Sequence, residues 1–208
     1  MSFTLSAATL PHAPLDALRV SSVNVGVARP LMASGRRVLS GIGKQAVDGP
    51  VAVGRLGLAG DEQADLSVHG GLDKAVYAYP AEHAAFWLAR RQEHGVSLFD
   101  EVLPRGFVGE NLTLEGLLEP QVWVGDELHF PGCVLRVTAP REPCFKFNAV
   151  MGYAQAARDM VLAGCCGFYL AVDLPGTIEA GQAFTLVPGR RALGIPQALA
   201  AKRIKHLR

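Results

Sequence analysis

Charge of one sign is what this sequence lacks: 20 lysines and arginines stand against 19 aspartates and glutamates, a formal net charge of +1. That balance speaks against a broadly basic nucleic-acid or membrane surface, although it leaves room for a local anion site. Long hydrophobic runs are missing too, with no window near the roughly 18 apolar residues that a spanning helix needs. The opening residues, MSFTLSAATLPHAPLDAL, have neither the basic start nor the apolar run of a secretory signal, so a reducing cytoplasm is the expected compartment. Cysteine is scarce, at positions 133, 144, 165 and 166. No C-x-x-C pair and no histidine at zinc-finger spacing accompany it, so no structural zinc is expected. Cys165 and Cys166, being adjacent, are poorly placed to bond each other. Also absent are the P-loop spacing, a G-x-G-x-x-G after a strand, the EF-hand loop and H-E-x-x-H. Those absences remove the commonest nucleotide and metal motifs.

What is present is glycine and proline, 23 and 13 of them, in a chain that is 50% hydrophobic. Such punctuation suits many short strands rather than a helical bundle. The β-branched run Leu18–Val27 predicts a strand ended by Pro30, and Asp48-Gly49 marks a turn between short apolar runs. Ala75–Tyr79 reads as a strand, followed by a helix over Ala81–His94 that Pro80 opens and Gly95 stops, with Trp87 on its core face. Phe107–Thr113 reads as a turn feeding a strand. Val122–Phe130 and Val134–Thr138 are expected to pair antiparallel through Pro131-Gly132, with a bend at Gly125-Asp126. A helix over Ala149–Leu162 stopped by Gly164 follows, then strands at Cys166–Val172 and Phe184–Val187 around a turn-rich Leu174–Gly181. Ile195–Arg208 predicts a basic amphipathic helix docking one face on the body, favoured over membrane or nucleic-acid binding. Together these elements predict a mainly β body closed into a barrel, which removes exposed strand edges.

Two stretches carry the chemistry. Thr138–Asn148, TAPREPCFKFN, sets Cys144 after a proline and between Arg141 and Lys146. The thiolate is the reactive form of cysteine, and neighbouring cations favour it. Pro140 and Pro143 are expected to take the backbone out of regular pairing and present the thiol. The alternative is a small hydrophobe tucked under a loop. The second stretch, Gly54–Pro80, places five glycines in its first eighteen residues among Asp61, Glu62, Asp65, His69, Asp73 and Lys74. It fits a long functional loop on irregular backbone. His69 is either a ligand-facing group or an ordinary hydrogen-bonding loop residue. Before it, Gly41-Ile42-Gly43-Lys44 could receive an anion through its amides and lysine, or could be a plain loop.

The ordered motifs Gly57–Gln63, Val68–Gly71 with Asp73, Tyr79-Pro80 with His83, Gly109–Leu112, Gly125-Asp126 and Pro140–Lys146 resemble the MOSC domain, named for the C-terminal domain of molybdenum cofactor sulfurases. The likeness spans most of residues 18–187 and is nearest to the stand-alone YiiM-like branch. It implies a MOSC-type β-barrel over 1–190, with helices inserted or flanking, that binds the molybdenum cofactor. Cys144 stands where the family's cysteine ligates molybdenum, in keeping with the affinity of soft thiolates for such metals. By the same resemblance, Lys44 falls near the phosphate end of the pterin, Arg141 is a candidate anion clamp, and His69 and Asn111 are candidate donors to the pterin or oxo ligands. The branch is associated with reduction of N-hydroxylated compounds such as 6-hydroxylaminopurine, using electrons from a partner reductase, with His69 the first choice of proton donor. YiiM-like members continue into a three-helix domain, and residues 191–208 hold one helix's worth of it.

Two other readings accompany this one. The chain could carry or deliver the cofactor or its sulfur without turnover. It could also be a metal-free nucleophilic enzyme using Cys144 with His69 or His83, although no third triad member or oxyanion motif is present. Pyridoxal phosphate is not expected, which leaves no Schiff-base role for Lys44 or Lys74. The oligomeric state is open.

Overall fold

The computed structural model describes residues 18–64, 70–97 and 101–202. Strands β1 (Arg19–Val25), β2 (Arg29–Ala33), β3 (Arg36–Ser40), β4 (Gln45–Val47), β5 (Val51–Gly54), β6 (Gly57–Leu58) and β7 (Val76–Pro80) precede the helix α1 (Ala84–Glu93). After β8 (Leu112–Glu115), β9 (Glu127–Phe130) and β10 (Cys133–Pro140) come the paired helices α2 (Phe145–Met151) and α3 (Ala156–Ala163). The described chain ends in β11 (Phe168–Leu174), β12 (Gly176–Ile178), β13 (Thr185–Val187) and α4 (Ile195–Lys202).

Eight strands form one mainly antiparallel sheet in the order β13-β9-β10-β11-β7-β8-β1-β4, with β7 and β8 its parallel pair. The sheet curls until its ends approach. Val20 N donates to Gln182 O at 2.9 Å, Gly181 N to Val20 O at 2.7 Å and Phe184 N to Leu18 O at 3.2 Å, tying β1 to the segment that leads into β13. These bonds occupy edge groups that would otherwise stand open to pairing with other chains. Inside the curl the inward residues of β10, Cys133, Leu135 and Val137, meet Leu112, Leu114, Leu128 and Phe168, all at 0% exposure. The first five residues of β11 are all buried, as befits a central strand covered on both faces. A three-stranded sheet, β12-β5-β6, and a two-stranded hairpin, β2-β3, complete the body. This is the mainly β, barrel-like fold that the punctuation predicts. No helix among the described residues is long and apolar enough to cross a membrane.

Four expectations need correction. The single helix over Ala149–Leu162 is two helices, α2 and α3, because Gly152 takes the left-handed conformation (φ 82°) and ends the first. Pro140 does not leave the ladder; it is the last residue of β10 and pairs with Phe168. Pro30 does not end β1, which stops at Val25, but lies inside β2, where a two-stranded ribbon is all edge and tolerates a missing N–H. The Leu174–Gly181 stretch contains β12, paired with β5. Trp87 is in the core at 1% exposure, and the bend at Gly125-Asp126 opens β9 as anticipated. In α4, Ile195, Ala198 and Leu199 are buried, so one face docks on the body; residues 203–208 of the predicted basic helix lie outside the described residues.

Buried carboxylates fasten the loops to this frame. Asp126, at 0% exposure, accepts the amides of Trp123 (3.1 Å) and Gly189 (2.8 Å), with Arg191 Nε at 3.4 Å. Truncation to alanine removes the acceptor of both amides, at a cost of about 1–3 kcal/mol for each group left unpaired. Asp126→Ala is therefore expected to lose about 2 kcal/mol or more of unfolding free energy in urea titration. An unchanged midpoint would show that water replaces the carboxylate.

Candidate functional site

The site is built where β10 runs out. Its register against β11 shifts between Val137 and Ala139, a bulge that redirects the strand end. Arg141 N still donates to Gly167 O at 3.3 Å, after which residues 142–144 break away. Cys144 follows Pro143 in extended backbone (φ −124°, ψ 175°) just before α2, and its carbonyl accepts Phe147 N at 2.9 Å. The thiol is half-buried, while Cys133, Cys165 and Cys166 are buried. Burial pushes the Cys133 thiol up to about 11 and raises those of Cys165 and Cys166 further.

Cys144 opens onto a cavity of about 100 Å³. Four of the five residues expected at a site, Lys44, Asn111, Arg141 and Cys144, line it together. The fifth, His69, lies outside the described residues. Among the described residues four cations reach the cavity, Lys44, Lys74, Arg141 and Lys146, against two carboxylates, Asp61 and Glu62. A nearly neutral chain thus concentrates positive charge at one place.

The cations are not equivalent. Lys44 is ion-paired with the buried Asp61; burial lowers its pKa, and Asp61 and Glu110 oppose that shift. Lys146 Nζ donates to Leu39 O at 2.8 Å, joining α2 to β3. Lys74 sits 5.6 Å from the ring centre of Tyr169. Arg141 is 4% exposed and lies 5.1 Å from the ring centres of both Tyr77 and Phe147, with Met160 Sδ at 3.5 Å from Nη1. Burial works against its charge, and Tyr77, Tyr169 and Cys144 sustain it. Among the described residues no carboxylate forms an ion pair with it. A buried guanidinium without a counter-ion is costly, and an anion in the cavity would supply one.

Asn111 turns out to be a buttress. Its Nδ2 donates to Asp61 Oδ2 (2.9 Å) and Asn24 O (3.3 Å), and its Oδ1 accepts Tyr77 N (3.1 Å). As placed, its amide hydrogens serve the wall rather than a ligand. Residue reasoning missed Tyr77 and Tyr169 as wall residues, because both stand in buried strands whose pattern reads as core. Burial raises both phenols, with Arg141 opposing, so they stay protonated. His83 is directed elsewhere, with Nε2 2.8 Å from Glu119 Oε2. That removes it as the base for a Cys144 nucleophile.

Comparison with known proteins places these observations. The model of the MOSC domain family matches residues 65–185, more than half of the chain. The chain belongs to the MOSC domain family, YiiM type. It is 39% identical over 148 residues to Protein YiiM of Escherichia coli, covering 71% of this chain and 64% of that protein. A protein named Reductase from Gibberella moniliformis is 32% identical over 177 residues, covering 83% of this chain but 30% of the fungal protein. The crystal structure of YiiM from Geobacillus stearothermophilus superposes with a TM-score of 0.71 at 31% identity, covering 90% of this chain and 85% of that one. The MOSC fold therefore extends beyond the matched segment to nearly all described residues. Its pocket suits the family's cofactor: a reachable soft donor and a buried guanidinium that no carboxylate among the described residues ion-pairs share one cavity, fitting a group with a metal and an anionic tail. Among the described residues no group of three or more His, Cys, Asp or Glu is arranged to hold a metal ion.

The geometry predicts unequal thiols. In the folded protein a disulfide reagent such as DTNB is expected to titrate one thiol rapidly, and four in guanidinium chloride. Cys144→Ser is expected to abolish the fast phase; its survival would mean that a buried cysteine is the accessible one.

Proposed function

We propose that this MOSC protein binds the molybdenum cofactor through Cys144 and reduces N-hydroxylated compounds, of which 6-hydroxylaminopurine is the model substrate. The observation that carries the reading is the pairing, on one cavity, of a reachable thiol with the buried Arg141, which no carboxylate among the described residues ion-pairs. The name of the fungal relative, Reductase, is in line with it. When bound, the cofactor supplies a two-electron couple. In the reaction R–NHOH takes up two electrons and two protons, the N–O bond breaks, and the amine and water leave; a partner reductase provides the electrons.

The residues divide the remaining work. Cys144 Sγ would hold the metal as a thiolate, which requires loss of its proton on loading. Arg141 would pair with an anionic oxygen, its guanidinium lying 5.1 Å from the ring centres of both Tyr77 and Phe147. Lys44, neutralised by Asp61, shapes the floor and adds little net field. Tyr169 keeps a proton at its hydroxyl on the wall, and Lys74 over that ring adds positive charge. His69 remains the proposed proton donor.

Expression in a host that makes the cofactor is expected to yield protein with molybdenum and fluorescent pterin, which reduces 6-hydroxylaminopurine with reduced methyl viologen. Cys144→Ala is expected to retain about tenfold less molybdenum or lower still, since loss of even supporting groups around a metal costs about 10–100-fold in affinity. Equal metal in the variant would sink the ligand assignment. Metal held through Cys144 without turnover on any N-oxygenated compound would turn the reading to a carrier or delivery module.

A further inference from the structure

The hairpin β2-β3 has an outer face that nothing in the described chain covers. Ser34 (φ 51°) and Gly35 (φ 71°) form its two-residue turn, and the pairs Leu31–Val38 and Ala33–Arg36 set its register. Ala33 and Ser40 are buried, so the face carrying those pairs lies against the body. Side chains alternate along a strand, which leaves the pairs Pro30–Leu39 and Met32–Arg37 on the opposite face. Met32 is 63% exposed and Leu39 52%, large values for side chains of their kind. Residues 28–40 hold Arg29, Arg36 and Arg37 and no carboxylate; Arg37 stands on the outer face, while Arg29 and Arg36, paired with Ser40 and Ala33, reach solvent at the two ends of the hairpin. All three arginines are exposed, and none forms an ion pair among the described residues.

The hairpin also leads directly to the cavity. Ser40, the last residue of β3, and Gly41 line it, and Lys146 beside Cys144 holds Leu39 O at 2.8 Å. Phe145, between Cys144 and Lys146 in the chain, is a further exposed apolar side chain at 46%. An apolar centre edged by arginine is the composition of a protein-docking patch. A second copy of this chain would set arginines against arginines, which like-charge repulsion disfavours. Three arginines are few for the counter-ion release that drives nucleic-acid binding.

We propose that the outer face of the β2-β3 hairpin docks the electron donor, a small redox protein that presents carboxylates around its cofactor. This rests on the reductive reading above, which requires two electrons per N–O bond to arrive from another protein. Docking on the hairpin brings the donor to the rim of the cavity, beside Cys144. The arginines steer the encounter and the apolar strip holds it, so association is fast and strongly salt-dependent.

The probe is a purified bacterial flavodoxin, and binding is read directly by titration calorimetry with the cofactor-loaded protein at low salt, independently of turnover. The wild type is expected to bind, and to lose at least about tenfold in affinity between low and physiological salt. The double variant Arg36→Glu/Arg37→Glu is expected to bind at least about tenfold more weakly, with a flattened salt response and an unchanged methyl-viologen rate. Since both side chains are exposed, folding should be unaffected, which circular dichroism and thermal melting would verify. No binding by the wild type, or equal binding by the variant, overturns the proposal. So does hairpin-dependent self-association in sedimentation, or preferential binding to vesicles containing phosphatidylglycerol. A protein inactive even with methyl viologen yet binding flavodoxin through the hairpin would defeat the reductase reading while leaving the docking surface standing.

Discussion

The carboxylate of Asp61 is the point through which the site is assembled. It accepts Gly26 N at 3.0 Å, Asn111 Nδ2 at 2.9 Å and the Lys44 ammonium, so the end of β1, the start of β8 and the loop before β4 meet on two oxygens. With the Asp61 side chain 4% exposed and that of Lys44 7%, the pair has lost most of its hydration. Such a pair is weak evidence for stability, because desolvation offsets its attraction, but it fixes geometry since either charge alone would be intolerable there. Asn111 extends the arrangement to β7 by exchanging bonds with Tyr77 through side chain and backbone. The cavity floor is thus a polar network satisfied on every side, set between strands whose other contacts are apolar.

The same device recurs away from the cavity. Glu110 accepts Gly106 N and Val108 N at 2.7 and 3.1 Å, and Glu119 accepts Gly167 N at 2.6 Å while meeting His83. In each case a buried carboxylate replaces the strand partner that an irregular backbone lacks. Gly167 carries this outward, because its carbonyl holds the Arg141 amide. The backbone of Arg141 is thus tied through Gly167 to Glu119, while its guanidinium lies against the rings of Tyr77 and Phe147. No buried side-chain nitrogen or oxygen among the described residues lacks a partner.

Much of this was legible in the sequence, for local reasons. Alternation and turn chemistry located β1, β9, β10 and β11, and the proline–glycine asymmetry bounded α1. The Cys144 loop announced itself by composition, as did the glycine-rich stretch around Asp61. Missed features depended on information that spacing does not hold. The β2-β3 hairpin escaped because Pro30 suggests an ending, yet the Ser34-Gly35 dipeptide between apolar runs was its available signal. The break at Gly152 was hidden by helical periodicity on both sides. Lys44 looked like a free cation until the fold brought Asp61, seventeen residues away, into contact with it. Tyr77 and Tyr169 looked like core, and only three dimensions show that a core strand can also be a cavity wall.

Arg141 has a thermodynamic consequence beyond recognition. Among the described residues the buried guanidinium of Arg141 is surrounded by aromatic rings, a thioether and the Tyr169 hydroxyl rather than a carboxylate, so an anionic occupant of the cavity would improve its electrostatic surroundings. Occupancy and folding are then linked: a ligand that binds only the native state adds RT ln(1 + [L]/Kd), about 2.7 kcal/mol at a hundredfold excess over Kd. For a protein of ordinary marginal stability that is a sizeable share of the whole. The lifetime of such a chain in vivo would rise and fall with the supply of its ligand, and a shortage would lead to its removal by proteolysis rather than to an accumulating pool of ligand-free protein.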